Sequence, residues 1–520
     1  MRTLWTVVGC ALVLGACSLG VPAPADVPLL TQAERSGFTQ TTLHADVVAF
    51  VRAAAARSPR LHATTFGQSG AGRDLPLAVW NADDATPEAV RATGRTRVLI
   101  VGTIHGGEVA GKEAALTLLR DLAEAPRGLD SLVLLVAPVY NADGNDAIAF
   151  GNRPLQLGPV GGMGQRPNAA GLDLNRDLMK AAAPETRALL EVFGAYDPHL
   201  VLDLHTTDGT AMAYGLTYAP GLSPNTPPAL DSLARSVLLP AVTARLERQF
   251  GLLTYHYGNV PGAFGEPVSV SRGWYSFSPD PRFLTNYVGL RGRLALLSEA
   301  YSYASFRDRV RDTRRFVDAV LRQAVVHGAG LRRVVAAADV AVQPGDSLAL
   351  RGRFAASPEP VDIQLGRVDT VAHPVTGAPM RRRIADRLPE TMPVFISFEA
   401  AESERVPCAY YIRGGLGSAA AQTLAAHDIR LETVDRLPAP VEAFVAERVD
   451  VAERPFQGVR MRTAHGRWGT SPAPALDGPW VRVEPTGPLA RVVFMLLEPR
   501  SSDGLVAWGL AEPADIVREP

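Results

Sequence analysis

The sequence predicts an α/β chain with a mixed sheet flanked by helices over residues 33–330, followed by a smaller β-rich unit over 331–520. Three observations lead there. Apolar runs too short for helices recur at 98–101, 132–137, 200–202 and 294–297, and such runs suit strands buried on both faces. Between them lie stretches with helical spacing, and alternation of this kind indicates an α/β layer structure. After Gly330 the texture changes to short strand-like segments set between turn residues.

In chain order, residues 44–58 read as a helix, with Val47, Phe50, Val51 and Ala54 on one face. Residues 75–80 and 97–104 read as strands, and 108–122 as a helix. Strands follow at 132–137 and 200–204, then a helix that Asp231 could cap and that runs to Glu247. A strand at 294–297 and a long helix over 307–327 complete the first unit. In the second, 342–354, 361–368, 394–399, 480–485 and 491–497 read as strands and 417–427 as a helix.

The N-terminus stands apart from both units. Arg2 precedes a mostly apolar run at 4–14 and then small residues, the anatomy of a secretory signal that is too short to span a bilayer. Leu14-Gly15-Ala16-Cys17 resembles the lipobox of bacterial lipoproteins, which implies cleavage before Cys17 and acylation of that residue. Several acyl chains on one residue anchor stably where one does not. Residues 1–17 are therefore expected to be a signal and 18–32, with Pro22, Pro24 and Pro28, a tether. The expectation is an exported lipoprotein held to a membrane, periplasmic or at the cell surface. With Cys10 lost and Cys17 lipidated, only Cys408 remains, and no intrachain disulfide can form. The net charge of −1 gives no electrostatic reason to expect a nucleic-acid partner.

Chemistry gathers where the strands end. The strand at 97–104 runs into His105-Gly106-Gly107-Glu108, whose histidine and carboxylate can bend toward one ion across two permissive glycines. Far along the chain the strand at 200–204 ends in His205. Two histidines, one carboxylate and an open position form a recurrent catalytic zinc site. The strand at 294–297 runs into Glu299, and ligands of open α/β sheets gather at strand ends.

These residues, with Arg166 and Gly171-Leu172-Asp173-Leu174-Asn175-Arg176, resemble the zinc metallocarboxypeptidases of the carboxypeptidase A type over residues 33–330. The resemblance implies a carboxypeptidase-like fold and one zinc ion held by His105, Glu108 and His205. It implies Glu299 as general base, Arg166 as oxyanion stabiliser, and Asn175 and Arg176 as the grip on a substrate's terminal carboxylate. It also implies Asp173 behind the free ring nitrogen of His105. Asp203, on the strand of His205, is either a similar partner or a surface or cap residue. The family closes a mobile tyrosine over the substrate, and Tyr275 and Tyr287 both stand between His205 and Glu299. Pancreatic-type members carry an arginine where this chain has Gly107, which removes one anchor for a substrate.

Plainer readings compete residue by residue. Arg176 could pair with Asp177. His44, His62, His199, His256, His327, His373, His427 and His465 are read as surface or core residues. The glycine run at 415–420 lacks the βαβ setting of a dinucleotide site and is read as a loop and helix start. Ser69 is read as a turn residue, not a nucleophile. The function expected is a zinc metallopeptidase, foremost a carboxypeptidase acting on peptides or peptidoglycan stem peptides. The alternatives are a zinc deacylase of small N-acyl amino acids and a zinc-binding lipoprotein without turnover.

Overall fold

The computed structural model describes residues 28–520 except 126–127, 266–267, 269, 439 and 472–478. The expected signal, Cys17 and the tether as far as residue 27 lie outside the described residues. Among the described residues no helix is long and apolar enough to cross a membrane.

A single eight-stranded mixed sheet organises the first unit. Its strands are β1 (Leu61–Gln68), β2 (Asp74–Trp80), β3 (Thr96–Gly102), β4 (Leu132–Ala137), β5 (Leu200–Thr207), β6 (Leu216–Pro220), β7 (Thr254–His256) and β8 (Leu294–Tyr301). They pair in the order β1-β2-β4-β3-β5-β8-β6-β7, with β4, β3, β5 and β8 parallel at the centre. The apolar runs seen in the sequence are these four strands. Buried on both faces, they gain stability from every side chain, roughly 1.5–3 kcal/mol for each large aliphatic one. β5 and β8 run to Thr207 and Tyr301, past the apolar stretches, because ladder pairing continues through polar residues. That longer pairing sets His205 beside Glu299 in register.

The two faces of the sheet are covered by different parts of the chain. Val98 and Ile100 face helices His44–Ala55, Ala110–Glu124, Leu239–Phe250 and Phe306–Asp339. Leu99 and Val101 face the other way, into a core shared with helices Pro184–Tyr196, Leu284–Leu290 and Ala490–Leu497. Tyr410, Ile412, Val481 and Val483 of a six-stranded C-terminal sheet belong to that same core. The C-terminal region is thus β-rich, as expected, yet it closes one face of the first sheet.

Three local expectations change. Residues 490–497 form a helix rather than a strand, with all eight residues buried. From Val492 to Leu497 the run is wholly apolar, which suits a buried strand as well as a buried helix. The last helix of the first unit continues to Asp339, so the expected boundary near 330 falls inside it. Asp231 does not cap a helix; it lies inside Pro228–Ser232 and pairs with Arg235 at 2.7 Å. Strand β1 and helix Pro184–Tyr196 had no clear signal in the sequence. Ser418 does cap helix Ala419–Ala426, accepting from Ala421 N–H.

Among the links between the two units is a buried hydrogen-bond chain through His427. His427 Nε2 faces the Met179 carbonyl at 3.0 Å and its Nδ1 lies 2.7 Å from Tyr287 Oη. The carbonyl can only accept, so Nε2 carries the proton and Nδ1 accepts from the tyrosine. Burial pushes the imidazole down to about 4. A group held neutral in this way contributes stability that is complete above the unfolded value of about 6.5 and declines as pH falls toward 4. Urea unfolding should therefore show the margin of wild type over His427→Asn shrinking by about 2 kcal/mol between pH 7.5 and pH 5. A pH-independent margin would contradict the neutral buried state.

Candidate metal and substrate site

The loop after β3 carries the first two ligand candidates because its glycines leave room for nothing else. A Cβ on Gly106 would lie 2.2 Å from the Gly144 carbonyl carbon, and one on Gly107 would lie 2.5 Å from the Gly164 oxygen. Both obstacles are backbone, which cannot swing aside. Asn141 ties this loop to its neighbour, its Nδ2 donating to the Ile104 carbonyl at 3.3 Å and the Arg166 carbonyl at 3.1 Å. Glu108 precedes helix Ala110–Glu124 rather than opening it.

His105, Glu108 and His205 converge, each offering a ligand atom within 4.8 Å of the others. His105 Nδ1 lies 3.0 Å from Glu108 Oε1 and His205 Nδ1 lies 2.9 Å from Glu108 Oε2. The far ring nitrogens face carboxylates. His105 Nε2 donates to Asp173 Oδ1 at 3.0 Å, and His205 Nε2 lies 2.9 Å from Asp203 Oδ2. The carboxylate behind His105 holds a proton on Nε2 and leaves Nδ1 as the atom that would meet an ion, and His205 likewise turns its Nδ1 toward Glu108. Two imidazole nitrogens and a carboxylate, all buried, are the donor set of a three-ligand zinc site, so the residues fit the ion.

Two carboxylates around the cluster are held in the charged form, as a cation site needs. Burial opposes the charge on Glu108, but His105 and Arg153 hold its carboxyl well below the ordinary range. Burial likewise opposes charge on His205, yet Asp203 and Glu108 raise it well above its usual value. Asp173 is buried too, and His105 and Arg166 hold it low. Glu299 behaves differently. Burial pushes it up to about 8, the pull of His205 being countered by repulsion from Glu108. Its Oε2 is buried without a hydrogen-bond partner among the described residues.

A cavity of about 300 Å³ brings the expected residues together: the three ligand candidates, Arg166, Asn175, Arg176 and Glu299 all line it. Asp173 caps the short turn Leu174–Arg176, accepting from Asn175 N–H at 2.9 Å, and so aims the next two side chains. Its other oxygen accepts from Arg166 Nε at 2.9 Å. Arg176 lies with its guanidinium 3.9 Å from the centre of the Phe283 ring. Asp177 is engaged elsewhere, accepting from Ala183 N–H at 2.8 Å. His199 is a core residue, its Nδ1 accepting from Arg97 N–H at 3.0 Å.

The tyrosines require correction. Neither Tyr275 nor Tyr287 lines the cavity. Tyr287 is fully buried and bonded to His427, and Tyr275 stacks on Phe395 with centroids 4.3 Å apart. Sequence position between His205 and Glu299 could not reveal either partner, both being supplied by the C-terminal region. The tyrosine at the cavity is Tyr257, just beyond β7, with its hydroxyl pKa raised by burial. Arg153 was missed as well. It donates to Glu108 Oε1 at 3.0 Å and to the Thr206 carbonyl at 2.9 Å. Its chain passes over Gly107, where a Cβ would meet Arg153 Cδ at 2.9 Å. Arg153 comes from a glycine- and proline-rich loop without periodic signal.

A sequence model of the zinc carboxypeptidase family matches residues 47–279. Those residues, a little under half of the chain, are similar to the zinc carboxypeptidase family. The family's zinc dependence accords with the donor set, and Glu299 lies beyond the matched segment. Probable carboxypeptidase 2 of Trichophyton verrucosum is 33% identical over 142 residues, 26% of this chain and 24% of that protein. Carboxypeptidase Z of Homo sapiens is 28% identical over 171 residues, 31% of this chain and 25% of that protein. The chain therefore spans about a quarter of the length of these carboxypeptidase relatives. Among solved structures, a metallo-carboxypeptidase from Burkholderia cenocepacia aligns with TM-score 0.38 and 19% identity over 55% of this chain and 69% of its own. Carboxypeptidase A from Helicoverpa armigera aligns with TM-score 0.41 and 16% identity over 56% and 75%.

Proposed function

We propose that the protein is a zinc carboxypeptidase that uses one zinc ion and releases C-terminal residues from peptides, including peptidoglycan stem peptides. The observation that carries this reading is that the guanidinium groups of Arg166 and Arg176 line the same cavity as the metal cluster and Glu299. His105, Glu108 and His205 would hold the ion. When bound, it would polarise the scissile carbonyl and bring the pKa of a water toward about 7.

The remaining steps belong to the chain's own side chains. Arg176, steadied on Phe283, and Asn175 take the terminal carboxylate, the planar guanidinium suiting a two-point grip. Arg166, held by Asp173, presents N–H donors to the oxygen on which charge develops. Glu299 takes the proton from the attacking water and hands it to the leaving amine as the C–N bond breaks. Its buried, unpartnered oxygen is suited to that exchange. Phe264, Phe277 and Leu297 supply an apolar wall, which favours apolar side chains at the residue released. The lipobox-like segment ending at Cys17 supports an exported, membrane-anchored protein that meets its substrates outside the inner membrane.

The test uses soluble protein beginning at Ser18, its zinc content measured, with blocked dipeptides, purified stem peptides and N-acyl amino acids as substrates. Cleavage of peptides with a free C-terminal carboxylate, and none of the C-terminal amides, is the expected result. Equal cleavage of the amides would overturn the exopeptidase reading, and activity confined to N-acyl amino acids would make the protein a deacylase. Bound zinc without any turnover would leave a binding lipoprotein.

A further inference from the structure

The C-terminal region reaches Asp173, behind the cavity, through a tight hairpin. Phe456 and Val459 pair across a two-residue turn, exchanging backbone hydrogen bonds of 2.8 and 3.0 Å. The turn residues, Gln457 and Gly458, hold φ of 50° and 77°. Hairpin turns of this backbone favour Asn, Asp or Gly at both positions. Glutamine has no local advantage there, but its longer side chain reaches across to the other unit. Gln457 Oε1 accepts from Asp173 N–H at 2.8 Å, and its carbonyl accepts from Lys180 Nζ at 2.9 Å.

We infer that Gln457 is a positioning residue for the metal and carboxylate-binding groups, placed by the C-terminal region on the backbone of Asp173. The inference rests on the peptidase reading for its kinetic part and extends it to a region for which no role had been assigned. Asp173 is the junction of the site: one carboxylate holds His105 Nε2, Arg166 Nε and the N–H of Asn175. A shift of its backbone would tilt all three together. The hairpin is itself held firmly. Phe456 stacks on Trp508 with centroids 6.2 Å apart, and Arg282 lies 5.3 Å from the Phe456 ring centre. Asp503, from the same region, accepts from Arg282 N–H at 2.9 Å. The residue after Arg282 is Phe283, the platform under Arg176. Two links from the C-terminal region therefore meet on either side of the carboxylate grip. An odd backbone conformation kept at such a place is the pattern expected of a functional constraint.

The test compares Gln457→Asn and Gln457→Gly with wild type in the full chain. Both substitutions suit the turn, so thermal midpoints should stay equal or rise, while neither side chain can reach Asp173 N–H. Zinc affinity, read by competition with a chromogenic chelator, should weaken about tenfold in both, the lower end of what loss of an outer partner of a metal ligand costs. With peptide substrates, kcat/KM should fall about tenfold, mostly through KM, because the carboxylate grip moves with Asp173. The chelator measurement needs no turnover, so it decides this inference even if no peptide is cleaved and the peptidase reading fails. Wild-type zinc affinity in both variants overturns the inference. Collapse of the thermal midpoint in both overturns it as well, by assigning Gln457 to the fold alone.

Discussion

Glu299→Gln is expected to keep its zinc and to lose turnover by roughly 10³-fold, the scale of a general acid–base contribution. The amide copies the carboxylate in shape, so packing around β8 should survive, and Glu299 is not one of the three converging ligands. It cannot accept and return a proton. The effect should fall on kcat, with KM nearly unchanged, because substrate binding is assigned to Asn175, Arg166 and Arg176. Metal analysis alongside steady-state kinetics on one blocked dipeptide checks both halves. A variant that retains a tenth or more of wild-type kcat would remove Glu299 from proton transfer and leave the base to be sought elsewhere in the cavity.

His205→Ala is expected to release the metal. It deletes one of three donors and leaves Asp203 and Glu108 as buried carboxylates facing an empty volume. If three ligands share a binding free energy of about 10 kcal/mol or more, losing one weakens zinc by on the order of 10²–10³-fold. Activity should vanish at ordinary zinc concentrations and return in part when zinc is raised. The protein should also be less stable than metal-free wild type, since unpaired buried charge costs folding energy. Chelator competition and thermal unfolding with and without added zinc separate the two effects. Zinc binding at wild-type strength would show that the ion is not held by this cluster.

The site was legible in the sequence to an unusual degree, and for a physical reason. Catalytic ligands cluster at the ends of buried parallel strands, and buried parallel strands write continuous apolar runs. The strands at 98–101, 200–204 and 294–297, apolar but for Asp203, therefore point to His105, His205 and Glu299. The doublet Gly106-Gly107 spoke equally plainly, because close backbone approach tolerates no Cβ. Arg153 and Tyr257 were not legible. Each reaches the cavity from a loop or strand edge whose local pattern resembles any other turn.

The helix at 490–497 shows where pattern reading stops. Six of its eight residues, Val492 to Leu497, form an unbroken apolar run buried in the core, which reads as strand as readily as helix. The misplaced tyrosines have the same origin, for Tyr287 and Tyr275 are claimed by His427 and Phe395, more than a hundred residues away.

By itself, then, the sequence carried the α/β class and the candidate ligands His105, Glu108 and His205, because strand burial, ligand chemistry and glycine sterics are local properties, while the turn Leu174–Arg176 stood out through its resemblance to a family. The tertiary structure alone decided that Arg153 reaches Glu108, which tyrosine meets the cavity, and how the C-terminal region takes hold of Asp173. These depend on contacts between distant segments. Such contacts are set by how two faces of one sheet are covered, and nothing in a linear run of residues encodes which segment will cover which face.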